Sequence, residues 1–114
     1  MPISENSAAA PSFDPAPVFA ALGDRTRLSL LSRLSDGRRR SIASLSADTR
    51  LTRQAVTKHL YVLESAGLVE SSRTGRENLF AFRPERLHHA RTYLEEVSRH
   101  WDEALERLRA FVET

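Results

Sequence analysis

Residues Leu51 to Phe82, LTRQAVTKHLYVLESAGLVESSRTGRENLFAF, decide how this chain is read, because an amphipathic helical pattern runs directly into two β-prone segments with a basic tip. Thr52 is of the type that caps a helix through its side-chain oxygen, and the pattern it opens continues to about Ala66 before Gly67 stops it. Val56, Leu60 and Leu63 fall at i, i+4 and i+7 and predict a core-facing stripe, while Arg53, Gln54, Thr57, Lys58 and Tyr61 lie toward the other side. Leu68 to Arg73 and Asn78 to Phe82 read as short strands. Between them, Thr74-Gly75-Arg76-Glu77 supplies a hairpin loop whose glycine permits positive φ. A reading helix followed by a basic hairpin predicts a fold that is mainly α with a small β-hairpin, a winged helix-turn-helix, and it makes double-stranded DNA the first partner to test.

Upstream, Ser41 is placed to cap a short helix holding Ile42 and Leu45, and a turn near Asp48 to Leu51 completes the two-helix motif. Asp14 with Pro15 opens an earlier helix whose apolar side is Val18, Phe19 and Leu22, ended by Gly23. Asp24 caps the next helix, in which Leu28, Leu30, Leu31 and Leu34 recur at helical spacing before Gly37. Arg38-Arg39-Arg40 then reads as a basic turn. Residues 1–13 are rich in Ala, Ser and Pro and hold too little apolar surface to offset ordering, so they predict a disordered tail, leaving 14–114 as one domain.

Downstream of Pro84, Leu87, Ala90, Leu94, Val97, Trp101, Ala104, Leu108 and Phe111 alternate spacings of three and four residues, a sustained heptad seam. A helix of that span is about 42 Å long, more than so small a domain can cover. Leu105 and Val112 widen its apolar face near the end, so the stripe is expected to pack partly on the first helix and partly across a two-fold axis in a homodimer.

The net charge of +2 conceals an uneven distribution. Residues 25–58 carry nine basic groups against Asp36 and Asp48, nine minus two giving +7, and this segment surrounds the reading helix. Taken alone, a charge run of this kind favours the plainer reading of a solvated face. The absence of cysteine excludes disulfides and thiolate metal sites. The first residues show no secretory signal and no run approaches the ~18 apolar residues of a membrane span, so no membrane contact and a cytoplasmic location are expected.

With those residues in view, VFAALGDRTRLSLLSRL followed by LTRQAVTKHLYVLESAGLVESSRTGRENLFAF resembles the ArsR-type family of bacterial winged-helix repressors. The resemblance covers roughly residues 16–112. It implies a homodimeric DNA-binding transcriptional repressor, commonly autoregulatory, with dimer contacts through the first and last helices; here those are Phe19 and Leu94, Val97, Trp101, Leu105, Leu108 and Phe111. Many relatives sense metals through a cysteine pair before the recognition helix or through acidic and histidine ligands on the last helix. Ser41 to Thr49 has no cysteine. His89 and His100 are about three turns, some 16 Å, apart on one helix and cannot share an ion within it. An inter-subunit site using His100 with Glu96 or Glu103 stays geometrically open, but no metal and no cofactor is expected, and any effector is unidentified.

For DNA, Arg53 and Gln54 are the expected base readers, since Arg pairs with guanine and Gln with adenine. Thr57, Lys58 and Tyr61 are expected on phosphates, and His59 either contacts a base or a phosphate or packs beside Leu60 and Leu63. Arg73 and Arg76 are expected to reach the backbone or minor groove beside the wing. Arg40 and Ser41 are expected to clamp phosphate at the start of the short helix. The rival reading is a protein-docking winged helix, for which the basic middle segment would have no use. An enzyme is disfavoured because no phosphate loop, G-x-S-x-G elbow or ligand-spaced His/carboxylate motif is present in the sequence.

Overall fold

Caps and glycines set the element boundaries. A computed structural model describes residues 13–47 and 49–113; the expected tail through residue 12, and Asp48 of the expected turn, lie outside the described residues. The order is α1 (Ala16–Leu22), α2 (Arg25–Leu34), β1 (Arg40–Ser41), α3 (Ile42–Ala47), α4 (Arg53–Ser65), β2 (Val69–Thr74), β3 (Glu77–Phe82) and α5 (Glu85–Glu113). Side chains cap three helices as their residue types require: the N–H groups of Arg27, Ser44 and Ala55 donate to Asp24, Ser41 and Thr52, whereas α1, expected to be capped by Asp14, starts on Pro15, and Asp14 accepts the Ala16 N–H in the turn before it. Gly37 and Gly67 take φ of 83° and 79° just past α2 and α4, a conformation that costs a residue with a Cβ.

The hairpin is tighter than its sequence pattern indicates. Thr74 pairs with Glu77, leaving Gly75 and Arg76 as the loop. Gly75 has φ 63° and, among the described residues, no non-glycine has positive φ, the sign pattern of a type II′ turn. The expectation of a lone hairpin is corrected by a third strand. Arg40 and Ser41, expected to lie in a basic turn and its end, pair antiparallel with Phe80 and Leu79, so the sheet order is β1-β3-β2. Without β1, the outer edge of β3 would present unpaired N–H and C=O groups, and the chain entering α3 passes close enough to satisfy them.

The core lies between the helices and one face of this sheet. Val18, Leu30, Leu34, Leu45, Val56, Leu60, Leu63, Leu68 and Phe80 are fully buried. Leu28 sits outside this set, half exposed, because it is rotated roughly 110° around α2 from the mean direction of Leu30, Leu31 and Leu34. Phe13, expected at the end of the disordered tail, instead packs on the core and meets His89 of α5 at a tilt, with 5.3 Å between ring centroids, because its ring finds apolar surface there. The start of α5 docks through Leu87 and the buried Ala90, and Tyr93 meets Phe19 of α1 at 6.1 Å. Beyond that point α5 leaves the domain, which gives the chain its extents of 66 × 35 × 22 Å.

Candidate nucleic-acid interface

The buried stripe of α4 fixes which side chains face outward. At 100° per residue, Arg53, Thr57, Tyr61, Gln54 and Lys58 occupy a band of about 140° that begins at the edge of the stripe formed by Val56, Leu60 and Leu63 and turns away from it. All of them are exposed except Thr57, which is half-buried and donates its hydroxyl to the Arg53 carbonyl at 2.7 Å. That bond uses the Thr57 proton and leaves its oxygen lone pairs as acceptors, so Thr57 meets a phosphate only through water or by giving up the bond. Tyr61 is half exposed and rests against Phe80, 6.4 Å between centroids, which holds the phenol over the junction of helix and sheet.

The wing is fastened to this helix. Glu64 accepts from the Ser71 hydroxyl at 2.6 Å and from the Ser71 N–H at 3.3 Å. Neither residue stands out in the sequence, because the pairing joins a helix end to a strand. At the other end of the hairpin, Arg76 turns toward the start of α4. Ser41, Arg53, Thr57, Arg76, Glu77 and Asn78 line one concavity of about 340 Å³, together with Ile42 and Ala43. Four residues expected to touch DNA thus converge from three separate elements. Asn78 joins them unforeseen; its place in β3 beside the loop is the only signal it carries. Arg73, paired across the hairpin with Asn78, is exposed on the wing.

Three expected DNA ligands are committed elsewhere. Arg40 donates to the Arg33 carbonyl at 3.0 Å and to Asp36 at 2.8 Å, and less than a third of its side chain is exposed. It braces the end of α2 instead of presenting a free guanidinium to phosphate. Ser41 spends its oxygen on the N–H of Ser44, the cap that starts α3. His59 faces away from the reading band, with Nδ1 3.2 Å from Arg27 Nη1. Several other cations of the basic segment also serve the scaffold. Arg27 donates to the carbonyls of Ala20 and Ala21, and Arg33 to those of Ser44 and Leu45, so both grip the C-terminal ends of helices where carbonyls lack partners. Arg25, Arg38, Arg39, Arg50, Arg53 and Lys58 are the exposed members of the segment, Arg38 lying beside Asp36.

Carboxylates near the site are held ionised. The backbone N–H of Arg27 keeps the Asp24 carboxyl below its ordinary value, with the Arg27 guanidinium and His59 adding to the effect against a counteracting cost of burial. Asp36 is lowered in the same way, first by the backbone N–H of Arg38 and then by the Arg40 charge.

A helix-turn-helix domain model matches residues 22–72, the span from the end of α1 into β2. An uncharacterized HTH-type transcriptional regulator of Bacillus subtilis, YuzN, is 42% identical over 76 residues, 61% of this chain and 83% of that protein. The solved structure of an ArsR-like transcriptional regulator from Rhodococcus sp. RHA1 superimposes with a TM-score of 0.73 at 37% identity, covering 84% of this chain and 90% of that one. The chain belongs to the ArsR-type family of winged helix-turn-helix, DNA-binding transcriptional regulators. A homodimeric winged helix-turn-helix DNA-binding domain from Mycobacterium bovis, itself a possible ArsR-family regulator, is also similar: TM-score 0.59, 26% identity, 74% of this chain and 77% of that one.

In this ArsR-type regulator α4 is the recognition helix and the β2–β3 hairpin is the wing. The histidines of the last helix stay apart from it. His88, His89 and His100 are exposed on α5, and Glu96, Arg99, His100 and Glu103 line a shallow hollow of about 300 Å³. Among the described residues no three potential ligands come together within the chain, so the His100 site would need a second subunit. Also among the described residues, no helix is long and apolar enough to cross a membrane.

Proposed function

We propose that this regulator is a homodimeric repressor that reads an inverted-repeat operator, with a binding role and no turnover, in the cytoplasm. The observation that carries the reading is the convergence of the exposed α4 band with the wing tip, where Arg53, Thr57, Arg76 and Asn78 share one concavity. Arg53 and Gln54, exposed at the N-terminal end of α4, read base edges in the major groove. Lys58, Tyr61, Arg73 and Arg76 hold the backbone on either side. Domain boundaries follow the same account: residues 14–114 are the DNA-binding and dimerisation unit.

Dimerisation is supported by the apolar face that α5 leaves uncovered in the single chain. Leu94, Trp101, Leu105, Leu108 and Phe111 are 51%, 64%, 58%, 57% and 80% exposed. A row of this kind is costly in water and is covered when a second copy brings the same row across a two-fold axis, with Val97 beside it and Phe19 at the α1 end. The homodimeric M. bovis domain has the same architecture. Two recognition helices placed about 34 Å apart then meet successive major grooves, and the bound dimer blocks polymerase. Placing the upstream DNA of the gene ahead of a reporter tests the repressor role: repression lost with Arg53→Ala supports it, and activation or no response refutes it.

A further inference from the structure

His59 lies on the flank of α4 turned away from the reading band, where three helices meet. Its Nδ1 is 3.2 Å from Arg27 Nη1 and 3.9 Å from Asp24 Oδ2. Arg27 also donates from Nε to the Ala21 carbonyl at 2.7 Å and from Nη2 to the Ala20 carbonyl at 3.2 Å, holding the last turn of α1. Asp24 accepts the Arg27 backbone N–H at 3.0 Å and so caps α2. One cluster therefore joins α1, α2 and the recognition helix.

The donor and acceptor inventory of the cluster admits two patterns and excludes their coexistence. A guanidinium only donates, so its 3.2 Å contact needs the Nδ1 lone pair, that is, a neutral ring carrying its proton on Nε2. A carboxylate only accepts, so a bond to Asp24 needs a proton on Nδ1. One nitrogen cannot do both. We propose that His59 is a positioning residue whose proton state selects between these patterns and thereby sets the seat of the recognition helix, making DNA binding weaker in acid. The proposal rests on the DNA-binding reading above.

In the neutral state Arg27 uses Nε, Nη1 and Nη2 together and locks α4 to α1 and α2. Uptake of a solvent proton at Nδ1 sets donor against donor and cation against cation at Arg27, and draws the ring toward Asp24, roughly 1 Å beyond ordinary hydrogen-bond distance. The movement is passed along the helix to Lys58 and Gln54. Among the described residues, Asp24 and Arg27 are the charged groups in contact with the ring. α1 and α3 carry no titratable side chain; Arg25 of α2 points to solvent and Arg33 of α2 is bonded to α3 carbonyls. On the far flank of α4, Glu64 is held by Ser71, while Glu70 of β2 pairs with Arg83 and Arg73 lies out on the wing.

Two measurements test this. Long-range proton–nitrogen NMR of the imidazoles, with His59 assigned by comparison with His59→Asn, reads the tautomer without DNA. A neutral ring with its proton on Nε2 at about pH 8 is expected; a proton on Nδ1 overturns the proposal. DNA binding is then followed on a duplex that the protein itself enriches from a random pool. Wild-type affinity is expected to fall roughly fivefold between about pH 7.5 and pH 5.5, the loss of about one hydrogen bond, whereas His59→Asn, which keeps an acceptor but does not titrate, binds independently of pH. An added positive charge acting only by attraction to phosphate would tighten binding in acid, so tighter or unchanged wild-type binding overturns the proposal. If no duplex is enriched, the DNA reading fails and the functional half of the proposal fails with it, while the tautomer result still decides the bonding half.

Discussion

Trp101→Ala is expected to dissociate the dimer while leaving the single chain folded. The indole is 64% exposed in the isolated chain. Aromatic side chains of this size offer up to about 250 Å² each, so roughly 160 Å² of Trp101 remains to be covered. At about 25 cal/mol per Å², full coverage would contribute about 4 kcal/mol per subunit, an upper limit that alanine would forfeit for the most part. Even half of that coverage, counted twice by symmetry, comes to about 4 kcal/mol per dimer, which weakens association close to a thousandfold. Sedimentation equilibrium over a concentration series gives the dimer constant directly, and far-UV circular dichroism reports whether α5 persists. A variant that dimerises as tightly as wild type refutes the reasoning. So does a wild-type chain that stays monomeric at concentrations where the variant was to be compared.

Arg53→Ala should cost about 1 to 3 kcal/mol on the specific site and relax base preference there, while leaving random-sequence binding nearly unchanged; equal loss on both, by fluorescence anisotropy, removes its reading role. Arg76→Ala should weaken all sequences alike and reduce the logarithmic salt slope by about 0.9 per lost phosphate contact, close to 2 for a dimer; an unchanged slope places Arg76 off the backbone. Thr52→Ala should lower stability by about 1 kcal/mol, since the N–H of Ala55 loses its acceptor, a change read by urea unfolding. Asp24 and Asp36 both ionise more readily in the fold than their ordinary value of 3.8. The stabilisation is therefore complete well above that pH and disappears as pH falls through 3.8 toward the lower folded values, so thermal midpoints should drop on that limb and Asp24→Asn should flatten it.

Local signals in the sequence carried most of the fold. Thr52, Asp24 and Ser41 cap where their side-chain chemistry requires, and Val56, Leu60 and Leu63 face inward as their spacing dictates. The helix of Pro84 onward runs through Glu113 as the heptad seam implies. What sequence reading missed depends on partners far along the chain. β1 is two residues long and exists because β3 has an edge to fill. The basic middle segment looked like a phosphate-facing surface, yet Arg27, Arg33 and Arg40 neutralise helix-end carbonyls or Asp36, a use of charge that composition does not distinguish from DNA binding. His59 follows Lys58 in sequence but lies on the opposite flank of the reading band, because the cluster at Asp24 and Arg27 has a place for an acceptor there. Within the candidate site, Arg53, Thr57, Ser41 and Arg76 were legible as types, whereas their convergence with Asn78 needed the packing of the wing against α4.

The most direct test of the account is selection from a random pool of duplexes by the purified full-length protein, followed by binding of the enriched sequence and a scrambled control across a salt series. The account predicts an inverted repeat with half-site centres about one helical turn apart, bound at least ~10³ times more tightly than the control near physiological salt. No enriched sequence, with weak binding equal on all duplexes and erased by salt, would contradict it.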